Sequence, residues 1–268
     1  MPCSIFDFAM RILVTFAVEA EFAPWRKLRS FREKHLVPEH WSGGIQVFET
    51  EIAGRIIWVH LTGVGARLKK THHLGLCAQA AKTDFVISSG LAGSLKPEYQ
   101  VGDVVVPRRI AMLRDANGLK AGSTLVRSAE EHGAKPIDVL LTADHIVSTS
   151  EEKNRLATFG EAVDMESHVI MSEAALQDIP AVTIRGISDK SDEDLPIDFS
   201  EVLSEEGQVK KVPLIKQLWR RPSKTPDLIR FGVRSRRAAF RLTQFIDSFL
   251  ETLNDQVLCQ EAAEAQTE

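Results

Sequence analysis

Arg11–Val18 (RILVTFAV) is, after its arginine, a continuous run of β-branched and apolar residues. Such a run predicts a central strand covered on both faces. Glu19-Ala20-Glu21 ends it, and Arg26–Glu33 reads as a helix. Ile45–Ile52 and Arg55–Leu61 are strand-like and are joined by Ala53-Gly54, which predicts a hairpin. Thr62-Gly63-Val64-Gly65 then turns into a helical stretch over Ala66–Ala81. Asp84–Ser88 reads as a second buried strand, and Ser89-Gly90-Leu91-Ala92-Gly93 as the turn that closes it. Val101–Pro107 and Asp138–Leu141 are further strands. Ser148 with Glu151, or Thr149 with Glu152, offers a capping box for the next helix. Ala162–Met165 reads as a strand end, Glu166–Gln177 has apolar residues at helical spacing, and Ile179–Ile187 is the last clear strand. This alternation predicts an α/β fold of three layers, α/β/α, around a twisted mixed central sheet.

The pattern changes beyond Asp194. Lys210–Arg241 holds eleven Lys or Arg residues and one acid, Asp227, with Trp219, Ile229, Phe231 and Phe240 interleaved. A solvated helix pair packed on the domain accounts for this composition. The rival reading is weak contact with a membrane surface, where basic stems lie along the interface and apolar side chains dip in. The expected organisation is one domain over residues 10–254, which includes a basic, aromatic helical extension from about residue 196. An acidic, disordered tail at 255–268 is expected to follow.

Bulk properties remove several function classes. The 268 residues carry a net charge of −4, which argues against general nucleic-acid binding. Cys3, Cys77 and Cys259 form no CxxC pair and suit a reducing cytoplasm. No run approaches the roughly 20 apolar residues of a membrane span. No HExxH or Cys/His cluster calls for a metal, and no cofactor is implied. The turn at Gly63–Gly65 lacks the third glycine and the ribose-binding acid of a dinucleotide site.

Three carboxylates stand just past strand ends, where α/β sheets place their ligands: Glu21, Glu166 and Asp189. Strand-end acids also cap helices, so each has a plain structural alternative. Together they fit the cleavage of an N-glycosidic bond. That reaction needs an acid for the departing base, a grip on the sugar and a base for the nucleophile.

Four segments resemble one family, in that family's order. They are VTFAVEAEF (Val14–Phe22), VISSGLAGSLKPEYQVGDVVVP (Val86–Pro107), AVDMES (Ala162–Ser167) and IRGISDKSD (Ile184–Asp192). They are similar to the acidic turn, TGxAGGL…GD(I/V)VV, VEME and RxISD motifs of methylthioadenosine/S-adenosylhomocysteine nucleosidases, in the nucleoside phosphorylase and nucleosidase superfamily. The resemblance implies that Glu21 activates water and that Asp189 protonates or hydrogen-bonds N7 of the base. It gives Glu166 the ribose hydroxyls, with Met165 packed on the sugar. Arg185 and Ser188 support the nucleophile side and the acid. Ile146 and Val147 align with the main chain that holds the base edge. Gly90, Ala92 and Gly93 let the backbone approach the sugar. A homodimer and a small purine nucleoside substrate are implied as well.

The match departs in two places. Leu91 replaces a hydroxyl residue that contacts the nucleophile in relatives, and Ile146-Val147 stand where an aromatic often stacks. VDMESH (Val163–His168) and SDEDLP (Ser191–Pro196) resemble a second branch, the hopanoid-associated nucleoside phosphorylases, which act on an adenosyl lipid. Hydrolysis of a 5′-substituted adenine nucleoside is the expected reaction, because an anionic Glu21 repels phosphate and activates water. Phosphorolysis or adenosyl-lipid cleavage is the alternative. A non-catalytic nucleoside-binding or membrane-peripheral protein is the rival from another class.

Overall fold

The computed structural model describes residues 9–37, 45–66, 77–78, 81–113, 118–197, 225–254 and 257. Most of the helix expected over Ala66–Ala81 lies outside them, as do the basic residues of 210–224 and almost all of the tail after 254.

The strands are β1 (Arg11–Phe16), β2 (Arg32–Leu36), β3 (Ile45–Ile52), β4 (Arg55–Leu61), β5 (Phe85–Ser94), β6 (Val104–Met112), β7 (Leu119–Lys120), β8 (Lys135–Thr142), β9 (Ala162–Asp164) and β10 (Ala181–Asp189). The helices are α1 (Glu19–Leu28), α2 (Ser123–Glu131), α3 (Ser150–Leu156), α4 (Ser167–Ala175) and α5 (Thr225–Thr252). They build one mixed sheet. β1 lies parallel between β4 and β5, and β10 runs parallel to β5. β6 joins β10 antiparallel, and β9 returns to the end of β5, which curls this half of the sheet into a closed turn of strands.

The period of two along the strands divides the core into two layers. Ile12, Val14 and Phe16 of β1 point to one face with Val182 and Ile184 of β10. Phe22 and Trp25 of α1, Leu125 and Val126 of α2, and Leu242, Ile246 and Phe249 of α5 cover that face. Leu13 of β1, Val86 of β5 and Ile187 of β10 point the other way, where Cys77, Ala78 and Ala81 join Ile170, Met171 and Ala174 of α4. The protein is thus an α/β fold with helices on both faces of a mixed sheet. α5 is tied to α1 by Asp247, which accepts hydrogen bonds from Trp25 Nε1 at 2.7 Å and Arg29 Nε at 2.8 Å.

Two expectations need correction. Helix α1 starts at Glu19, and Arg32–Leu36 is a strand rather than the end of a helix over Arg26–Glu33. Glu19 and Glu21 sit in the first turn, where acids complement the helix dipole. Among the described residues β2 pairs only with β3, and its charged, exposed residues suit a sheet edge. The other correction concerns Ser89–Gly93, which continues strand β5 and makes no turn.

Candidate active site

Glu21 lies in the first turn of α1 and is buried. Its Oε2 accepts the N–H groups of Ala17 at 3.0 Å and Val18 at 3.4 Å, and Oε1 accepts the N–H of Leu91 at 2.9 Å. The end of β1 and the middle of β5 are therefore bridged by one carboxylate. Burial pushes its carboxyl above the ordinary value, against the pull of the Leu91 N–H, the Arg185 charge and the Ala17 and Val18 N–H groups.

Glu166 stands at the N-terminal boundary of α4, just after β9. Its Oε1 accepts the N–H of Gly65 at 2.7 Å. Gly65 takes φ +74, a conformation that glycine reaches without strain, so the turn after β4 can aim this N–H at the carboxylate. Burial, then the neighbouring Asp164 charge, raise the Glu166 carboxyl to about 8. That value includes a smaller push from Glu21 and the opposing pull of Arg185 and the Gly65 N–H. Glu21, Asp164, Glu166 and Arg185 thus form one electrostatic group.

Arg185 is central to that group and fully buried. Its Nε donates to Asp164 Oδ2 at 2.8 Å, and Nη2 donates to Ser167 Oγ at 2.9 Å and Ser88 Oγ at 3.1 Å. Asp164 also accepts from Thr142 Oγ1 at 2.8 Å and from the Ser167 hydroxyl. Nη1 has no hydrogen-bond partner among the described residues.

The sheet register explains the two glycines. Gly90 pairs with Arg185 and Gly93 with Asp189, across parallel strands β5 and β10. A Cβ on Gly90 would stand 2.4 Å from Arg185 Nη1 and 3.3 Å from Glu21 Oε2. A Cβ on Gly93 would stand 3.0 Å from Asp189 Oδ2. The glycines make room for side chains crossing from the neighbouring strand. Gly90 does so at φ +150, where L side chains are disfavoured.

Asp189 ends β10 and is buried. Ser188 Oγ donates to its Oδ1 at 2.6 Å and lies 3.2 Å from Ala92 O. Lys153 of α3 donates to its Oδ2 at 2.6 Å. The segment Gly90–Gly93 therefore carries Glu21 and Arg185 at one end and Asp189 at the other.

Among the remaining expected residues, Met165 is half-buried between Asp164 and Glu166. Ala92 is buried with the second core layer. Ile146 is half-buried, whereas the Val147 side chain is buried with Leu95, Leu141 and Val163. The Leu91 side chain leaves this group and packs on the first core layer, with Cδ2 3.4 Å from a Cβ position on Gly186. Ser88 is held by Arg185.

Sequence reasoning missed Asp164 and Lys153. Asp164 lies inside the quoted AVDMES segment, but a strand acid between apolar neighbours carries no sign of a buried arginine partner. Lys153 lies in SEEKNRL, whose polarity reads as a solvated helix face.

A family model described as Phosphorylase superfamily matches residues 11–212. The 5′-methylthioadenosine/S-adenosylhomocysteine nucleosidase of Listeria welshimeri is 26% identical over 188 residues, 60% of this chain and 80% of that one. That of Shewanella halifaxensis is 26% identical over 65% of this chain and 87% of its own. Among solved structures, futalosine hydrolase of Helicobacter pylori superposes with a TM-score of 0.68 at 18% identity, over 91% of this chain and 99% of that one. The 5′-methylthioadenosine/S-adenosylhomocysteine nucleosidase of the same organism gives 0.67 at 18% identity, over 91% and 99%. At such identity the two structures establish the fold.

Proposed function

This chain is an enzyme of the phosphorylase superfamily, and from that membership we propose that it hydrolyses the N-glycosidic bond of a 5′-substituted adenine nucleoside. The observation that carries the reading is the clamped Glu21 carboxylate. Three N–H groups fix it beside Gly90, and burial raises its proton affinity. A carboxylate so placed suits a general base for water.

Phosphate is a poor fit here. Glu21, Asp164 and Glu166 surround Arg185, whose charge is already paired with Asp164. With the Glu21 and Glu166 carboxyls raised and the Arg185 charge matched by Asp164, phosphate finds no surplus positive charge in this group to hold it, whereas water needs none.

In the proposed reaction the C1′–N9 electron pair passes into the purine. The Asp189 O–H bond breaks as N7–H forms. Water attacks C1′, and its proton goes to Glu21. Glu166 accepts a ribose hydroxyl, with Met165 against the sugar. Ser188 orients Asp189, and Arg185 holds the nucleophile side. The Gly90–Gly93 backbone lies beneath the ribose, and the main chain of Ile146 and Val147 meets the base edge. The names of the Listeria and Shewanella relatives support methylthioadenosine or S-adenosylhomocysteine as the substrate class. A homodimer belongs to the same reading, and analytical ultracentrifugation measures it.

The test is base release from a panel of adenine and 6-oxopurine nucleosides, with and without phosphate. Equal adenine release in both buffers supports hydrolysis. Release that requires phosphate overturns it, and no release from any nucleoside favours a binding protein.

One observation favours a second reading of the 5′ group. α5 exposes Ile229 at 62%, Val233 at 61% and Phe240 at 44% relative accessibility. Arg230, Arg236, Arg237 and Arg241 are exposed on the same helix. An apolar and cationic face of this kind suits an anionic membrane surface, and hence an adenosyl lipid such as that of the hopanoid-associated branch. Co-sedimentation with anionic vesicles at low salt checks it, and absence of binding removes it.

A further inference from the structure

Lys153 is the one lysine among the described residues that is fully buried. A lysine in that position needs acceptors for its charge and its three protons. It has them. Nζ donates to Asp189 Oδ2 at 2.6 Å, to Lys190 O at 2.7 Å and to Glu193 O at 2.9 Å. Every ammonium proton is placed, and a neutral amine would leave one of these acceptors without its donor.

The helix that delivers Lys153 is fastened at its start. Thr149 Oγ1 accepts the Glu152 N–H at 3.2 Å, and Asp194 accepts the Ser150 N–H at 2.7 Å and its hydroxyl at 2.8 Å. Asp194 belongs to the same loop after β10 that supplies the two carbonyls. Lys153 and Asp194 therefore stitch α3 to the segment following Asp189 from both sides. Ser188 takes the other Asp189 oxygen at 2.6 Å. With both oxygens engaged, the carboxyl plane of Asp189 cannot turn without breaking a hydrogen bond to a buried group.

We propose that Lys153 is a positioning residue for the proton transfer to the departing base, acting through Asp189 without touching substrate. This rests on the reading that Asp189 is the acid. During the transfer the Asp189 O–H bond breaks, N7–H forms, and Asp189 becomes an anion. The adjacent ammonium favours that anion, so its contribution grows as the C1′–N9 bond opens. An interaction that strengthens along the reaction lowers the barrier rather than the binding energy. Lys153 itself keeps all three protons throughout.

The experiment compares two substrates. One is the adenine nucleoside that the parent enzyme cleaves. The other is a 4-nitrophenyl ribofuranoside with the same 5′ substituent, whose leaving group departs without a proton. For Lys153→Met, kcat on the nucleoside is expected to fall about 100-fold, the low end of general-acid contributions. Its KM and its nitrophenyl turnover are expected to stay within about threefold, since neither uses the acid. Lys153→Arg, which keeps the charge, is expected to recover part of the loss. Equal loss on both substrates, or no loss on either, overturns the proposal and makes Lys153 a structural lysine.

If Lys153→Met does not fold, the same ratio is read on Lys153→Arg, where a selective loss on the nucleoside supports the proposal and an equal loss overturns it. Failure of the underlying reading looks different: Asp189→Asn would then leave nucleoside turnover intact in an otherwise active enzyme.

Discussion

Arg185 and Asp164 form an ion pair with neither side chain exposed to solvent, at 2.8 Å. Removing one partner of such a pair leaves an uncompensated buried charge. Asp164→Asn is expected to cost about 3–5 kcal/mol of stability, whereas replacing both residues with apolar ones of similar volume costs much less. Urea unfolding of the single and double variants measures the difference. The double variant is also expected to be inactive, because Arg185 holds Ser88 and Ser167 and lies against Gly90 beside Glu21.

Gly90 and Gly54 both have positive φ, but their surroundings differ. Gly54 is the hairpin turn between β3 and β4, and a Cβ there meets nothing within 4 Å. Gly54→Ala is expected to cost about 1 kcal/mol through backbone conformation alone, with activity unchanged. At Gly90 a Cβ would drive into Arg185 and the Glu21 carboxylate. Gly90→Ala is expected to lose activity about 100-fold or more through displacement of the proposed base. Melting curves and kcat for the two variants separate strain from site disruption.

Glu166 predicts how stability depends on pH. Its carboxyl is raised to about 8 in the folded chain, while an unfolded glutamate titrates near its ordinary 4.5. Between these values the native state binds more protons than the unfolded state. Unfolding free energy therefore falls as pH rises from about 5 to 8, and flattens above that. Glu21, also raised, adds in the same direction. Glu166→Gln keeps an acceptor for the Gly65 N–H and removes the charge. It is expected to flatten the pH dependence and raise the denaturation midpoint at pH 8. A parent protein equally stable at pH 5 and pH 8 would contradict this.

The sequence carried some of these features openly and hid others. Ile12–Val14 and Phe16 are all apolar because β1 is buried between two helical layers, so both faces spoke alike. The Ala53-Gly54 hairpin was legible because a left-handed turn constrains composition. β2 was not, because an exposed edge strand gains nothing from alternation and carries charge instead. Gly90 and Gly93 were mistaken for a turn. Their smallness serves close approach between strands, and composition does not distinguish the two uses. The acids Glu21, Glu166 and Asp189 were found by their place after strands. Asp164 and Lys153 were not, because each is defined by a partner 21 or 36 residues away.

Thr149 offers a test of whether the α3 anchor matters. Its hydroxyl accepts the Glu152 N–H, so Thr149→Ala leaves a helix donor without its cap. The expected cost is about 1 kcal/mol. Because α3 is short and carries Lys153, the loss should loosen the hold on Asp189 as well. Nucleoside turnover is expected to fall several-fold while nitrophenyl riboside turnover does not. Thermal melting and the two turnover rates, measured on the same preparation, check both parts.

Glu21 lets chemistry and structure be separated at one carboxylate. Both oxygens accept backbone N–H groups: Oε1 from Leu91, Oε2 from Ala17 and Val18. An amide in its place must turn its NH2 toward one side or the other, where it meets an N–H instead of an acceptor. Glu21→Gln is therefore expected to cost about 1–3 kcal/mol, in contrast to the usual mildness of this exchange. Loss of the base for water is expected to lower kcat by about 10²–10⁴-fold. Added azide or formate, small nucleophiles that need no general base, should restore product formation as glycosyl adducts detectable by mass spectrometry. Glu21→Gln turning over water at the parent rate would remove Glu21 from the reaction and leave it a clamp between β1 and β5.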